Sequence, residues 1–106
     1  MADEEDYVSR VYTIPLRNVK SYPRLRRAPR AVREIKMFVT RHMKPEDDDH
    51  NTITDWKEAC RLNKLYIGED VNRRIWARGI ENPPSKIRVR VLKDKKDGAV
   101  DVDLAE

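Results

Sequence analysis

The sequence predicts an α+β domain of two layers, in which helices cover one face of a small, mixed, four-stranded sheet. Runs of β-branched and aromatic residues at period two indicate strands near both ends of the chain. Apolar residues at helical spacing lie between these runs, and prolines and glycines separate them. The predicted order is strand, helix, strand, helix, strand, strand, with an extra short helix in the middle of the chain.

A single small soluble domain is expected from the length of 106 residues. No stretch approaches the ~18 consecutive apolar residues of a membrane span. The single cysteine excludes an internal disulfide, and the acidic start "MADEED" has no apolar signal region. Both features predict a cytoplasmic protein.

The first strand and the first helix flank a basic loop. Residues 7–16 are predicted to form a strand, and Pro15 indicates a sheet edge or the end of regular pairing, because proline cannot donate a ladder hydrogen bond. The helix is expected from about Pro29 to Met43, because proline suits a first helical turn and apolar residues recur at helical spacing. Pro45 then stops the helix.

An acidic segment, residues 44–64, follows this helix. It is predicted to be a loop that leads into a short helix, since Asp55 and Glu58 resemble a capping arrangement. Trp56 and Cys60 are expected on the inner side of that helix.

A brief strand at residues 65–67 and a third helix come next. Asp70 is the expected N-cap of this helix, and Gly79 is expected to end it. A hairpin turn at Asp97 and Gly98 is expected before the last strand.

The run "KIRVRVL", residues 86–92, alternates apolar and cationic side chains. One side, formed by Ile87, Val89 and Val91, is predicted to face the helices. The opposite side carries Lys86, Arg88 and Arg90. Three like charges at this spacing are stable only in full solvent or against a polyanion.

Charge is segregated along the chain. Residues 17–41 carry nine bases and one acid, and residues 61–96 carry eleven bases and four acids. Residues 44–60 carry six acids and two bases, and residues 1–16 and 97–106 are also acidic. Solvated faces usually mix both signs, so these blocks predict a one-sided cationic surface suited to phosphates.

Catalytic and metal-binding patterns are missing from the sequence. His42 and His50 have no nucleophile partner, Cys60 has no nearby base, and no phosphate-binding or dinucleotide glycine pattern occurs. Residues 47–58 match part of a calcium-binding loop, but Thr52 stands where the sharp turn needs glycine. The sequence therefore predicts neither an enzyme nor a cofactor or metal protein.

Four segments resemble one known family. "YTIPLR", "RRAPRAVREIKMFVTRHM", "VNRRIWARGIENPPSKIRVRV" and "DVDLAE" are similar to the large-subunit ribosomal protein family thirty-one of the archaeal and eukaryotic type, in its archaeal form. The resemblance covers residues 7–43 and 64–106. It implies a structural protein, monomeric within the cytoplasmic ribosome, that binds large-subunit ribosomal RNA near the mouth of the peptide exit tunnel. It also implies neighbouring ribosomal proteins, and nascent-chain factors that dock close by.

The resemblance assigns the basic motifs to RNA phosphates. The expected contacts are Arg17, Lys20, Arg24, Arg26, Arg27, Arg30, Arg33, Arg78, Lys86, Arg88 and Arg90. For Arg78 two interpretations are kept, an RNA contact and an ordinary surface residue. Trp76 is expected in the core. Residues 1–6 are then an acidic tail, and residues 7–106 one RNA-binding domain with an acidic insert at about 44–64. Against the short linker that the resemblance implies, this insert adds a dozen or more residues, and its charge argues against RNA contact.

Two other function classes fit parts of the pattern. A free nucleic-acid-binding regulator would be a dimer with a reading helix, for which residues 29–43 are the candidate. A protein-interaction adaptor would use the acidic segment instead of the basic motifs.

Overall fold

The computed structural model describes residues 7–79 and 83–105 of the chain. Its strands are β1 (Tyr7–Pro15), β2 (Leu65–Ile67), β3 (Lys86–Asp94) and β4 (Val100–Leu104). Its helices are α1 (Arg27–Met43), α2 (Trp56–Arg61) and α3 (Glu69–Trp76). Two short 3₁₀ turns, Arg17–Ser21 and Arg24–Arg26, lie between β1 and α1.

The four strands form one mixed sheet in the order β1, β3, β4, β2. β3 is antiparallel to both β1 and β4, and β2 is parallel to β4. β1 is an edge strand that ends at Pro15, as the sequence predicts. The predicted element order and the two-layer α+β class are confirmed.

The core lies between the helices and one face of the sheet. Ile87, Val89 and Val91 of β3 are at most 1% exposed, and they pack with buried residues of the helices such as Ile35 and Ile75. The intervening cations of β3 are exposed. The apolar side chains of "KIRVRVL" therefore face the helices, and its cations face away from them, as predicted.

The start of α3 differs from the prediction. Gly68 is the N-cap, and the helix begins at Glu69. The carboxylate of Asp70 accepts hydrogen bonds from the backbone N–H of Val71 at 2.8 Å and of Leu104 at 3.1 Å, so it links α3 to the end of β4. A Cβ at position 68 would lie 2.8 Å from the backbone carbonyl oxygen of Val102, which explains why glycine stands at the N-cap.

Two other boundaries also shift. α1 starts at Arg27 rather than Pro29, because the basic loop already forms helical turns. The β3–β4 connection is longer than a two-residue hairpin, since the Asp94 N–H donates to the Ala99 carbonyl at 2.9 Å. Gly98 has a left-handed φ of +75° in this loop.

The acidic segment packs against the β3–β4 loop. The Glu46 N–H donates to the Gly98 carbonyl at 3.0 Å. Asp55 caps α2 as predicted, accepting from the Lys57 N–H at 3.0 Å. Trp56 and Cys60 are half-buried against the core.

Candidate nucleic-acid interface

The face of the sheet that points away from the helices carries the cations of β3. Lys86, Arg88 and Arg90 are exposed there. Their cross-strand neighbours on β1 are Pro15, Thr13 and Val11 respectively. Because directly paired residues lie on the same face, β1 supplies no charge beside these cations.

β4 places acids on the same face. Asp103 pairs with Arg90, and Asp101 pairs with Leu92. Burial raises the pKa of Asp101 above its ordinary value, and neighbouring carboxylates, Asp103 first, raise it further. The face is therefore divided, with cations at the Lys86 end and carboxylates at the end nearer the β3–β4 loop. The sequence did not predict this division, because nothing in it indicates that Asp103 pairs with Arg90.

The 3₁₀ turns present a second group of cations. Arg17, Lys20, Arg24 and Arg26 are exposed, and their side chains have no ion pair or hydrogen bond among the described residues. The turns are anchored by the buried side chain of Val19. Because these cations have no ion pair within the described residues, none has to be broken when phosphates bind them.

Arg27 and Arg30, by contrast, have partners within the chain. Arg27 donates to the carbonyls of Tyr22 and Lys20, both at 3.2 Å. The guanidinium of Arg30 lies 3.1 Å from a Glu34 carboxylate oxygen and 4.7 Å above the Tyr22 ring. These contacts fasten the 3₁₀ turns to α1, so both arginines contribute to the shape of the basic surface.

Arg33 is exposed on the next turn of α1. It lines a groove of about 280 Å³ together with Arg26, Arg30, Tyr22 and Pro29. This groove joins the 3₁₀ turns to the cationic side of α1.

The two basic blocks of the sequence meet at Ser85. The Leu16 N–H donates to the Ser85 carbonyl at 2.7 Å, which holds the end of β1 beside the start of β3. Arg17 and Lys86 line one groove at this junction. A second groove is lined by Lys86, Arg74 and Arg78.

Arg74 is absent from the residues expected from sequence. The signal that would have identified it is its spacing of four from Arg78, which lies two residues beyond the end of α3, because residues four apart on helical turns are neighbours. We name the cluster around Ser85 the junction surface, consisting of Arg17, Arg74, Arg78 and Lys86.

Trp76 is not in the core. Its side chain is 38% exposed, so the expectation of a core residue is wrong. α3 buries Val71 and Ile75 on its inner side, and Trp76 follows Ile75 directly, which turns the indole away from the core.

Two further lysines hold the acidic segment in place: Lys64 is the last residue of that segment, and Lys93 belongs to β3. The Lys64 ammonium lies 2.8 Å from the Asp97 carbonyl and 3.0 Å from an Asp48 carboxylate oxygen. Lys93 donates to the Lys44 carbonyl at 2.9 Å. These contacts hold the acidic segment at the end of β3 opposite to Lys86, about 27 Å away at the usual rise per strand residue.

Over residues 7–79 and 83–105, no group of three or more metal-ligating side chains is placed to hold an ion. In the same part of the chain, no helix is long and apolar enough to cross a membrane.

Comparison with known proteins identifies relatives along most of the chain. Large ribosomal subunit protein eL31 of Methanopyrus kandleri is 48% identical over 97 residues, which are 92% of each chain. The proteins of the same name from Methanoregula boonei and Methanothermobacter thermautotrophicus are 36% and 34% identical over 101 and 99 residues. These alignments cover 95% and 93% of this chain, and 94% and 100% of the relatives.

The family model of ribosomal protein L31e matches residues 6–65. This match and the relatives confirm the resemblance seen in the sequence, including its archaeal form, and the family is one of structural components rather than enzymes. The chain belongs to the ribosomal protein L31e family.

Proposed function

We propose that this chain is a structural component of the large ribosomal subunit and binds ribosomal RNA through its junction surface and the neighbouring cations. Family membership supports the ribosomal role and a location in the cytoplasm. The single observation that carries RNA binding is that both basic blocks, far apart in sequence, converge at Ser85.

Phosphate binding at this surface is electrostatic and geometric. Arginine forks hold two phosphate oxygens at once, and a lysine adds a compact charge. The 3₁₀ turns extend the surface with Lys20, Arg24 and Arg26, whose side chains have no partner among the described residues. Arg88, on the exposed face of β3, extends the junction surface further. Such contacts position a protein on folded RNA but read little sequence.

The contributions of the proposed contacts differ. Arg90 lies beside Asp103, so its attraction for phosphate is partly cancelled. Arg27 supports the surface through its hydrogen bonds to the carbonyls of Lys20 and Tyr22, and Arg30 through its contact with the Tyr22 ring. Lys86 lies opposite uncharged Pro15, so no neighbouring acid on β1 weakens its attraction.

The proposal includes a position near the mouth of the peptide exit tunnel, beside other ribosomal proteins and within reach of nascent-chain factors. Its support is the resemblance to the family. The acidic segment lies at the opposite end of β3 from Lys86, so RNA bound at the junction surface leaves that segment free for solvent or protein neighbours.

Binding of the full chain to large-subunit ribosomal RNA tests the proposal. We expect a double charge reversal, Arg17→Glu with Lys86→Glu, to weaken binding by about tenfold or more near 0.1 M salt, because each lost phosphate contact removes counterion release. The double reversal Lys57→Glu with Lys95→Glu is the charge-matched control, since both residues are exposed cations outside the junction surface. It should change affinity by less than about threefold, through long-range charge alone.

Two results would contradict the proposal. Equal losses in the junction-surface double variant and in its charge-matched control would show binding by net charge rather than by the junction surface. Equal affinity for ribosomal RNA and for transfer RNA would indicate a general nucleic-acid binder, as the regulator hypothesis predicts.

A further inference from the structure

A groove separate from the junction surface lies between α1 and the strand-like part of the acidic segment. We name it the α1–α2 groove. It has a volume of about 510 Å³, and its lining includes Met37, Arg41, Lys44, Ile53, Asp55 and Trp56.

The floor of this groove is apolar and firmly held. Ile53 is 4% exposed and belongs to the core, and its N–H donates to the Pro45 carbonyl at 2.7 Å. Met37 and Trp56 are half-buried beside it. Asp55 caps α2, so the wall that carries Trp56 is fixed relative to the floor.

The rim of the groove is cationic. Arg41 and Lys44 are exposed, and their side chains have no ionic partner among the described residues. The ammonium groups of Lys36 and Lys57 lie 5.5 and 5.8 Å from the centre of the Trp56 ring. Four cations therefore surround a pocket that is apolar at its base.

The carboxylates of the acidic segment do not neutralise this rim. Asp48 pairs with Lys64 at 3.0 Å, and Glu46 lies 3.6 Å from the Lys93 ammonium, so both are directed to the β3–β4 side. Asp55 is the acid that lines the groove, and its carboxylate accepts the capping hydrogen bond of α2.

We propose that the α1–α2 groove binds a short acidic peptide segment of another protein, with an apolar side chain on the floor and carboxylates at Arg41 and Lys44. A volume of about 510 Å³ is in the range of pockets that bury small ligands, and it accommodates one or two apolar side chains. The charge of the rim complements an acidic partner and opposes a basic one.

A peptide fits these observations better than RNA does. Single-stranded RNA binds by stacking bases on open aromatic faces, whereas two lysine ammonium groups lie over the Trp56 ring. Arg41 is fifteen residues along the chain from Arg26, or about 22 Å along a helix at the usual rise. RNA held at the basic turns therefore leaves this groove open.

Nuclear magnetic resonance of the full-length, ¹⁵N-labelled chain tests the inference. The probe is an acetylated, amidated octapeptide in which two leucines and a phenylalanine are set among five acidic residues. We expect the indole N–H signal of Trp56 to shift on titration, and that of exposed Trp76 to stay in place. Replacing the three apolar residues by serine should abolish the shift, and replacing the five acids by lysine should do the same.

A pair of variants separates this groove from the junction surface. We expect Arg41→Glu to weaken peptide binding by about tenfold, because a charge attraction becomes a repulsion. Arg24→Glu, a matched reversal of an exposed arginine in the 3₁₀ turns, should leave peptide binding unchanged. Both substitutions are at exposed positions, and the dispersion of the amide signals verifies that each variant is folded.

Three results would overturn the inference. The first is no shift of the Trp56 indole at about 1 mM peptide, a concentration that detects even weak binding. The second is an equal shift with the serine peptide, which would remove the apolar anchor. The third is a larger Trp56 shift with an octamer of uridylate than with the acidic peptide, which would make the groove an RNA site.

Discussion

Gly98 supports the contact between the β3–β4 loop and the acidic segment, and Gly98→Ala should be strongly destabilising. Its φ is +75°, a left-handed conformation that costs a residue with a side chain about 1–2 kcal/mol. A Cβ there would lie 2.5 Å from the Glu46 Cβ and 2.6 Å from the Glu46 carbonyl oxygen, and such overpacking costs about 1–3 kcal/mol. The expected loss in the free energy of unfolding is about 2–5 kcal/mol.

Gly79 provides a matched control for this substitution. Its φ is +93°, but a Cβ at that position would have no heavy atom within 4 Å. Gly79→Ala should therefore cost only the conformational part, about 1–2 kcal/mol. The difference between the two variants isolates the packing of the acidic segment on the loop.

Urea unfolding of the full-length chain, followed by circular dichroism, measures both free energies. A small domain has about 5–15 kcal/mol of stability, so a loss at the upper end of the expected range would leave much of the Gly98→Ala chain unfolded. Equal losses for the two variants would refute the reasoning, because they would show that the acidic segment is not packed against Gly98.

Three further predictions concern charged residues. Replacing both Lys86 and Arg88 by alanine should reduce the steepness of log affinity against log salt for ribosomal RNA by about 1.4–1.8, at about 0.7–0.9 per phosphate contact. Filter binding at several salt concentrations measures this slope. An unchanged slope would exclude both residues as phosphate contacts. Asp101→Asn should raise the free energy of unfolding at pH 7, because the raised pKa of Asp101 means that its charged form is disfavoured in the fold. Urea titrations should show that this gain vanishes below pH 3.8, the ordinary pKa of the group. A gain that stays constant across these pH values would contradict the assignment. Lys64→Met should lower the free energy of unfolding in urea by about 1–3 kcal/mol, because the Asp97 carbonyl of the β3–β4 loop loses its donor. The same change at exposed Lys57 should be nearly neutral. Equal effects would show that the Lys64 contact does not stabilise the fold.

Local patterns predicted the elements that carry the proposed site. The alternation of β3 fixed which side chains are buried, because a strand places neighbours on opposite faces. The apolar stripe of α1 likewise predicted a helix whose buried residues include Ile35 and Val39. Both patterns act within one element, which is why sequence alone revealed them.

Contacts between distant residues were not predictable in this way. Asp70 resembles an N-cap, yet its carboxylate binds the N–H of Leu104, a residue 34 positions away. Asp103 lies beside Arg90 only because β4 pairs with β3 in this register. Arg27 looks like its exposed neighbour Arg26 in sequence, but it binds carbonyls of the preceding turn. Each role depends on tertiary geometry rather than on residue type.

The two ends of β3 have different roles in the proposed account. The Lys86 end gathers four cations for RNA, from the first 3₁₀ turn, from α3 and the residues just after it, and from β3. The opposite end uses Lys93 and Lys64 to hold the acidic segment, which forms one wall of the α1–α2 groove. RNA and an acidic peptide would therefore bind at separate places, and loss of one interaction should leave the other intact.

Sedimentation of an extract from cells that express the tagged chain tests the central claim most directly. Sucrose gradients at low and high salt would be compared for the wild-type chain and for the double variant Arg17→Glu with Lys86→Glu. The account predicts that the wild-type chain travels with the large ribosomal subunit at low salt and leaves it at high salt, while the double variant stays near the top. A wild-type chain that remains at the top at every salt concentration would contradict the account.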